Sequence, residues 1–229
     1  MGRIFVMGDV HGAFNALKQC LDRAEFDYQN DTLINLGDVS DGWPQTKECI
    51  DELLKIENLI YILGNHDTWT LNWMKGHLAD PLWLSQGGEA TVNSYSHGIP
   101  KSHISFLDRA RPYYILDNNR LFVHAGIDPL RSMEDQGLDV FLWDRTLART
   151  ALNFYQSETS IKLTTFSEVY LGHTPIPYES PVKACEIWLM DTGAGWSGRL
   201  ALMEINTKEV FMSDPVTELY PGAKGRFRK

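Results

Sequence analysis

Short apolar runs alternate with helical patterns in the first half of the chain. Three apolar runs, at residues 3–9, 32–38 and 58–67, have the length and composition of buried strands. The two segments between them, at 13–26 and 44–57, place apolar residues at helical spacing, with a proline at the start of the second. This strand–helix–strand–helix–strand order predicts a parallel sheet with crossover helices.

The second half has a different rhythm. PYYILDNNRLFVHAG at 112–126 predicts a hairpin, and the apolar spacing of 138–155 predicts one helix. Four further runs predict strands separated by turns: SEVYLGH, EIWLMD, RLALMEI and EVFMSD. Residues 85–103 are rich in Gly, Ser and Asn, so we expect them to be the most flexible region. We also expect the basic tail 220–229 to be loosely ordered.

Length and composition indicate the class of protein. The chain has 229 residues, of which 43% are hydrophobic and 11% aromatic, which suits one domain over 1–229 with its core at about 3–213. The formal charge of -9 argues against stable binding to nucleic acid or to anionic membranes. Three widely spaced cysteines and the lack of a leader-like or membrane-spanning run predict a soluble cytoplasmic protein, whose oligomeric state the sequence does not define.

Residues of the types that bind metal ions follow five of the predicted strands. Carboxylates, imidazoles and an amide stand at these ends, each beside glycine: Asp9 and His11, Asp38, Asn65 to Asp67, His124, and His173. In open α/β sheets the carboxyl edge of the strands is where ligands bind. A single Gly-Asp pair is usually a turn, but agreement among five ends predicts a site. His77, His97 and His103 lie elsewhere and are expected to be ordinary surface residues.

These ligand types predict metal ions. Carboxylate and imidazole without thiolate suit divalent ions such as Mn, Fe, Zn, Ni or Co, with Mn favoured. The candidates outnumber the donors that one ion takes, which points to two ions sharing a bridging carboxylate. Two ions about 3.5–4 Å apart are a known device for hydrolysing phosphate esters, since they hold the phosphoryl oxygens and acidify a bridging water into hydroxide.

The motifs closely resemble those of the calcineurin-like metallophosphoesterase superfamily. They are most similar to its phosphoprotein phosphatase branch, which includes bacterial and phage-type serine/threonine phosphatases and the symmetrical dinucleoside tetraphosphatases. The resemblance spans about residues 3–205 and rests on GDVHG at 8–12, GDVSDG at 37–42, GNHD at 64–67, VHAG at 123–126 and LGHTP at 171–175. It implies an α/β sandwich of two mixed β-sheets flanked by helices.

The resemblance also implies a role for each site residue. The expected ligands are Asp9 and His11 for the first metal, Asn65, His124 and His173 for the second, and Asp38 as the bridge. Asn65 is expected to contact substrate as well. His66 would then be the general acid toward the leaving group, oriented by Asp41.

Two positions depart from the protein phosphatase pattern. Where arginines usually follow the second aspartate of GDxxD and precede GNH, this chain has Gly42 and Leu63. Arg145, in LWDR, matches a third family arginine and is the candidate for phosphate binding, the alternative being an arginine on a helix surface. Trp43 and Trp69 follow two of the motifs, where they either pack in the core or line a pocket for an aromatic group.

The expected function is metal-dependent hydrolysis of phosphate esters. The leading hypothesis is a phosphomonoesterase similar to serine/threonine phosphatases that acts on a phosphorylated protein. The absence of two arginines weakens discrimination for a dianionic monoester, so hydrolysis of a diester, a nucleotide or a dinucleoside polyphosphate is the alternative. An inactive metal-binding scaffold is disfavoured, because a scaffold has no need of His66 and Asp41 beside the ions.

Overall fold

The computed structural model of the protein describes residues 2–226. In that range the strands are β1 (Ile4–Met7), β2 (Thr32–Asn35), β3 (Asn58–Tyr61), β4 (Tyr113–Leu116), β5 (Arg120–Val123), β6 (Glu168–Leu171), β7 (Val182–Ala184), β8 (Ile187–Leu189), β9 (Ala201–Glu204) and β10 (Val210–Met212). The α-helices are α1 (Phe14–Arg23), α2 (Thr46–Leu53), α3 (Asn65–Met74), α4 (Pro81–Trp83), α5 (Glu89–Ser94), α6 (Lys101–Asp108), α7 (Leu138–Trp143), α8 (Thr146–Gln156) and α9 (Val216–Leu219). A π-helical turn at Leu84–Gly88 and a 3-10 turn at Met133–Asp135 complete the helical segments.

The strands form two mixed sheets. The first has the order β10-β9-β1-β2-β3, with β1, β2 and β3 parallel and β9 and β10 antiparallel at one side. The second has the order β4-β5-β6-β8-β7, with β5, β6 and β8 parallel between two antiparallel edge strands. The predicted parallel core and the β4–β5 hairpin are confirmed.

Three apolar layers hold the sandwich together. The layer between the sheets contains side chains of both, such as Val6 and Ile34 from the first and Phe122 and Tyr170 from the second. Phe122 and Tyr170 stack with ring centroids 4.6 Å apart. The outer face of the first sheet packs on α1, α2, α3 and α6, and that of the second on α7 and α8. Two mixed sheets flanked by helices confirm the expected fold class.

One predicted helix is wrong. Residues 138–155 form α7 and α8, separated at Asp144, whose backbone is extended at φ -70° and ψ 121°. The Asp144 carboxylate accepts a hydrogen bond from the backbone N–H of Thr146 at 2.5 Å. A side chain that satisfies a backbone donor at a helix start competes with continuing the preceding helix. The short strand β7 was not predicted.

Three further expectations need correction or detail. The tail expected to be loosely ordered is held to the protein at Tyr220, which is buried, and at Arg226, whereas residues 221–224 are exposed and the last three residues lie outside the described range. Residues 85–103 were expected to be the most flexible region, but they contain α5 and the start of α6. His103 is buried, not on the surface, and contacts the Tyr95 hydroxyl at 2.8 Å, whereas His77 and His97 are exposed as expected.

Cys20 and Cys49 are buried, Cys185 is partly exposed, and all three are free thiols. Among residues 2–226, no helix combines the length and apolar character that crossing a bilayer requires.

Candidate metal centre

The polar residues that follow five strands meet at one edge of the sandwich. Asp9 follows β1, Asp38 follows β2, Asn65 follows β3, His124 directly follows β5, and His173 follows β6. These strands are parallel within their sheets, so their carboxyl ends open on the same side. All five side chains are buried. The sheet order therefore concentrates ligand atoms that are far apart in the sequence.

The turns that carry these residues are conformationally strained. His11, Asp38, Asp41 and His173 have left-handed backbone conformations, with φ of 51°, 52°, 72° and 61°. Residues other than glycine rarely adopt such φ values, and they concentrate at functional sites where surrounding contacts enforce them. The strain therefore marks the same strand ends as the sequence motifs do.

Two groups of potential ligands share one residue. Asp9, His11 and Asp38 bring their ligand atoms within 4.8 Å of one another, and so do Asp38, His124 and His173. One carboxylate oxygen of Asp38, Oδ2, lies 3.8 Å from Nε2 of His11 and 3.5 Å from Nε2 of His124. Asp38 thus stands between the two groups.

Backbone carbonyls orient two of the imidazoles. Nδ1 of His11 donates to the carbonyl of Ser40 at 2.9 Å, and Nδ1 of His124 donates to that of Leu36 at 2.8 Å. Each bond fixes the tautomer in which Nε2 carries a lone pair toward the site, as in metal-binding histidines. Nε2 of His124 also lies 3.0 Å from Oδ1 of Asn65, so the amide joins the second group.

The chemistry of these residues fits metal ions. Burial lowers the pKa of His11 and of His173, and lowers that of His124 to about 4, so all three imidazoles are neutral at pH 7. A neutral imidazole is the form that binds metal. Nε2 of His173 is buried and has no hydrogen-bond partner among the described residues. A buried acceptor without a partner is costly, and an ion would satisfy it.

His66 and Asp41 form a buried pair beside these groups. Nδ1 of His66 lies 2.6 Å from Oδ2 of Asp41, and the carboxylate also accepts hydrogen bonds from Trp83 Nε1 and Thr91 Oγ1, both at 2.7 Å. Burial raises the pKa of Asp41 to about 7 and lowers that of His66 to about 3. The rings of His66 and His11 are perpendicular, in an edge-to-face arrangement with centroids 5.2 Å apart. Within residues 2–226, Nδ1 is therefore the ring nitrogen through which the protein holds His66.

Arg145 lies just before α8, not on a helix surface. Its Nη1 donates to the carbonyl of His173 at 2.8 Å and to Oγ1 of Thr174 at 3.4 Å. Burial lowers its pKa, and the nearby carboxylates of Asp9 and Asp191 oppose that effect. A half-buried guanidinium thus borders the second group of ligands.

Comparison with known proteins places this site in a family. A family model for calcineurin-like phosphoesterases matches residues 2–198. The chain belongs to the calcineurin-like phosphoesterase family. The suspected superfamily is thereby confirmed, and with it the expectation of a hydrolase of phosphate esters.

The individual relatives are named either as protein phosphatases or as dinucleoside tetraphosphatases. The chain is 24% identical to serine/threonine-protein phosphatase 1 of Salmonella typhimurium over 210 residues, 88% of this chain and 91% of the relative. It is 35% identical to a symmetrical bis(5'-nucleosyl)-tetraphosphatase of Vibrio cholerae over 156 residues, 67% of this chain but only 51% of that protein. A solved structure described as a proposed diadenosine tetraphosphatase superimposes with a TM-score of 0.68 at 20% identity, covering 93% of both chains.

Asp67 was not assigned a role from the sequence, although it belongs to the GNHD motif. Its carboxylate accepts hydrogen bonds from the backbone N–H of Asp38 at 2.8 Å, of Val39 at 3.1 Å and of Gly64 at 3.0 Å. The hydroxyl of Tyr61 donates to it at 2.7 Å. Asp67 therefore joins the loop after β2 to the loop after β3.

Other neighbours of the site were also missed. Trp83 and Thr91 donate hydrogen bonds to Asp41. Thr91 lies in the segment 85–103 that was expected to be flexible, and Trp83 lies just before it. Asp191, in the DTGAG stretch, is buried, and its charge, after burial itself, helps to raise the pKa of Asp9. Arg226, in the tail, reaches His11. The acid at the end of the predicted strand EIWLMD was a usable signal for Asp191, whereas nothing local marked the other three.

The two tryptophans near the motifs differ. Trp43 is fully buried, donates to the carbonyl of Ala194 at 2.7 Å, and is a packing residue. Trp69 is half-buried and meets His66 edge-on at 5.2 Å between centroids. It also contacts the exposed Trp143 at 5.3 Å. Trp69 and Trp143 thus form an aromatic rim next to His66.

Replacing Asp67 with Asn should destabilise the protein more than removing the Tyr61 hydroxyl. The amide leaves at least one buried backbone donor unsatisfied, so the free energy of unfolding should fall by about 2–4 kcal/mol, against about 1 kcal/mol for Tyr61→Phe. Urea unfolding followed by tryptophan fluorescence measures both. Asp135→Asn, the same change at an exposed carboxylate, should stay within about 0.5 kcal/mol. An Asp67→Asn loss no larger than that of Tyr61→Phe would contradict the anchoring role.

Proposed function

We propose that this family member is a two-metal phosphomonoesterase similar to serine/threonine protein phosphatases, with a phosphorylated protein as substrate. The observation that carries the proposal is the position of Asp38, which belongs to two groups of ligands, together with the adjacent His66–Asp41 pair. The similarity to the Salmonella phosphatase, which extends over 88% of this chain and 91% of that protein, supports this substrate class.

In the proposed centre, each residue group would hold one divalent ion. Asp9 and His11 would hold the first, Asn65, His124 and His173 would hold the second, and Asp38 would be shared. When bound, such a pair of ions holds phosphoryl oxygens and acidifies the attacking water. The donor set of carboxylate, amide and imidazole accepts Mn, Fe, Zn, Ni or Co, and we propose Mn.

His66 supplies the proton for the leaving group in this proposal. Asp41 holds the ring at Nδ1, so Nε2 is the nitrogen that can deliver a proton to the departing oxygen. Trp83 and Thr91 keep the Asp41 carboxylate in place. A carboxylate that is held this way orients the imidazole. Because burial lowers the pKa of His66 to about 3, the negative charge of a bound phosphate dianion has to raise that pKa before Nε2 carries the proton.

Arg145 and Asn65 are the proposed substrate contacts from the body of the domain. Arg145 Nη1 is bonded to the carbonyl of His173, which holds the guanidinium beside the second group of ligands. Guanidinium donors match phosphoryl oxygens in shape and charge. The amide nitrogen of Asn65 is a further donor, because its Oδ1 faces His124.

A dinucleoside polyphosphate is the second candidate substrate. The identity to the Vibrio tetraphosphatase, 35%, is higher than to the Salmonella phosphatase, although the matched region is half of that protein. The rim of Trp69 and Trp143 offers ring surfaces beside His66, and aromatic side chains stack on nucleobases. These two observations keep nucleotide or diester hydrolysis as the alternative.

Metal content tests the shared ligand. Protein loaded with excess Mn and freed of unbound ion should approach two ions per chain by elemental analysis. Asp38→Asn weakens both groups, so its content should fall to one ion or fewer, while Asp135→Asn should keep the parent value. A parent value of one that Asp38→Asn leaves unchanged would contradict the bridge.

Leaving-group dependence tests His66. His66→Asn should keep a near-normal metal content but slow hydrolysis of an alkyl phosphate by roughly 10²–10⁴-fold, because the alkoxide needs a proton. A nitrophenyl phosphate, whose leaving group is stable without a proton, should be slowed much less. His77→Asn, at an exposed histidine, is the matched control and should change neither rate. Equal losses on both substrates would remove His66 from the acid role.

A direct comparison of substrates tests the proposed class. One Mn-loaded preparation is assayed on a phosphoserine peptide, a simple aryl diester and a dinucleoside tetraphosphate. We expect the peptide to have the highest kcat/KM, by roughly 10-fold or more over the diester, because dianion recognition by one charged contact is worth about that much. A higher kcat/KM for the dinucleoside tetraphosphate would favour the second candidate instead.

A further inference from the structure

Residues 220–226 fold back over the proposed metal centre and are anchored there. The ring of Tyr220 stacks on Trp43 with centroids 5.1 Å apart, and its hydroxyl donates to the side chain of Gln45 at 2.8 Å. The backbone N–H of Arg226 donates to the carbonyl of Gly195 at 2.9 Å. These contacts fix the direction in which the Arg226 side chain leaves the backbone.

Among residues 2–226, the guanidinium of Arg226 reaches a proposed metal ligand but pairs with no carboxylate. Its Nη1 lies 3.2 Å from Nε2 of His11, and its Nη2 lies 3.5 Å from Oε1 of Gln86. The group lies over the ring of Trp196, 4.9 Å from the centroid. Nε is buried and has no hydrogen-bond partner within residues 2–226, and in the same range the guanidinium makes no ion pair with a carboxylate. A cation in this state has donors to offer to an anion.

The Arg226 side chain fills the space beside Gly42. A Cβ atom built on Gly42 would lie only 3.0 Å from Cγ of Arg226, and the glycine has φ of +110°. A side chain at position 42 would therefore crowd the stem of Arg226, which would have to shift by a few tenths of an ångström to make room.

The charge of Arg226 acts on the whole centre. Burial raises the pKa values of Asp9, Asp38 and Asp41, and the positive charge of Arg226 opposes that rise at all three. Divalent ions on the same carboxylates would take over this neutralising role. An ion on Nε2 of His11 would also displace the guanidinium from that nitrogen, because both need the same lone pair.

We propose that Arg226, carried into the site by the C-terminal segment, is a phosphate-binding cation beside His11 and Gly42. The proposal rests on the proposed function and adds a second cation that contacts the phosphate dianion. The ligand is the phosphoryl group of the substrate or inorganic phosphate. Arg226 then binds on the side of His11 and Gly42, and Arg145 on the side of His173.

An open cavity gives an anion access to Arg226. It measures about 480 Å³, and its charged lining residues are the two cations Lys224 and Arg226 and one acid, Glu89. A second basic residue of the tail, Lys224, thus borders the same space. None of the six proposed metal ligands lines this cavity, so it offers a route to Arg226 from outside and is not itself the seat of the reacting phosphate.

Calorimetric titration with inorganic phosphate tests the proposal by binding, not turnover. Parent protein loaded with two Mn ions per chain is compared with Arg226→Gln and Arg226→Lys at equal metal content. Loss of one charge-assisted contact should raise the Kd for phosphate roughly 10–100-fold in the glutamine variant. Lysine keeps the charge without the planar donors, so its Kd should lie between the two. Arg109→Gln, at an exposed arginine, should match the parent, and thermal melts check that every variant is folded.

Each remaining outcome decides against a specific claim. Equal phosphate affinity of parent and Arg226→Gln, with both folded and loaded, would overturn the role of Arg226 and leave the proposed function standing. Tighter phosphate or Mn binding by Arg226→Gln would overturn it too, because the tail would then block the site. A parent protein that takes up neither Mn nor phosphate would overturn the proposed function itself.

Discussion

The carboxylate of Asp67 is the constraint on which the site depends. It accepts the backbone N–H groups of Asp38 and Gly64 at the same time, and so fixes the loop after β2 relative to the loop after β3. Asp38 is held in a left-handed conformation with φ of 52°, which is costly unless such contacts enforce it. Oδ1 of Asp38 in turn accepts the N–H of His66 at 2.9 Å, which leaves Oδ2 toward both groups of histidines. One buried acid thus positions the shared ligand and, through it, the start of α3.

Charge explains why this arrangement calls for cations. Asp9, Asp38, Asp41 and Asp191 are all buried, and burial raises the pKa of each. Buried like charges are unstable unless positive charge lies close to them. Arg226 provides some of it, since its charge opposes the pKa rise at each of the four. Two divalent ions would complete the balance and leave a positive surplus for a phosphate dianion.

Much of the fold and of the site was predictable because it depends on local sequence patterns. Alternating apolar runs predict the parallel strands, and the rule that ligands collect at their carboxyl ends brings Asp9, Asp38 and His173 together before any coordinates are known. The break at Asp144 was missed because the apolar spacing continues across it, while one side-chain hydrogen bond stops the helix. Asp67 stood in the GNHD motif, but the hydrogen bonds that tie it to Asp38 and Val39 lie in another loop. Arg226 is separated from His11 by 215 residues, and no periodicity or motif reports such a meeting.

The central claim is that two ions share Asp38, and a crystal soaked with Mn tests it most directly. Anomalous diffraction should show two peaks at the carboxyl edge of the strands, about 3.5–4 Å apart. The Asp38 carboxylate should bind both, with Asp9 and His11 on one peak and Asn65, His124 and His173 on the other. A single peak at full occupancy, or two peaks of which only one contacts Asp38, would contradict the account.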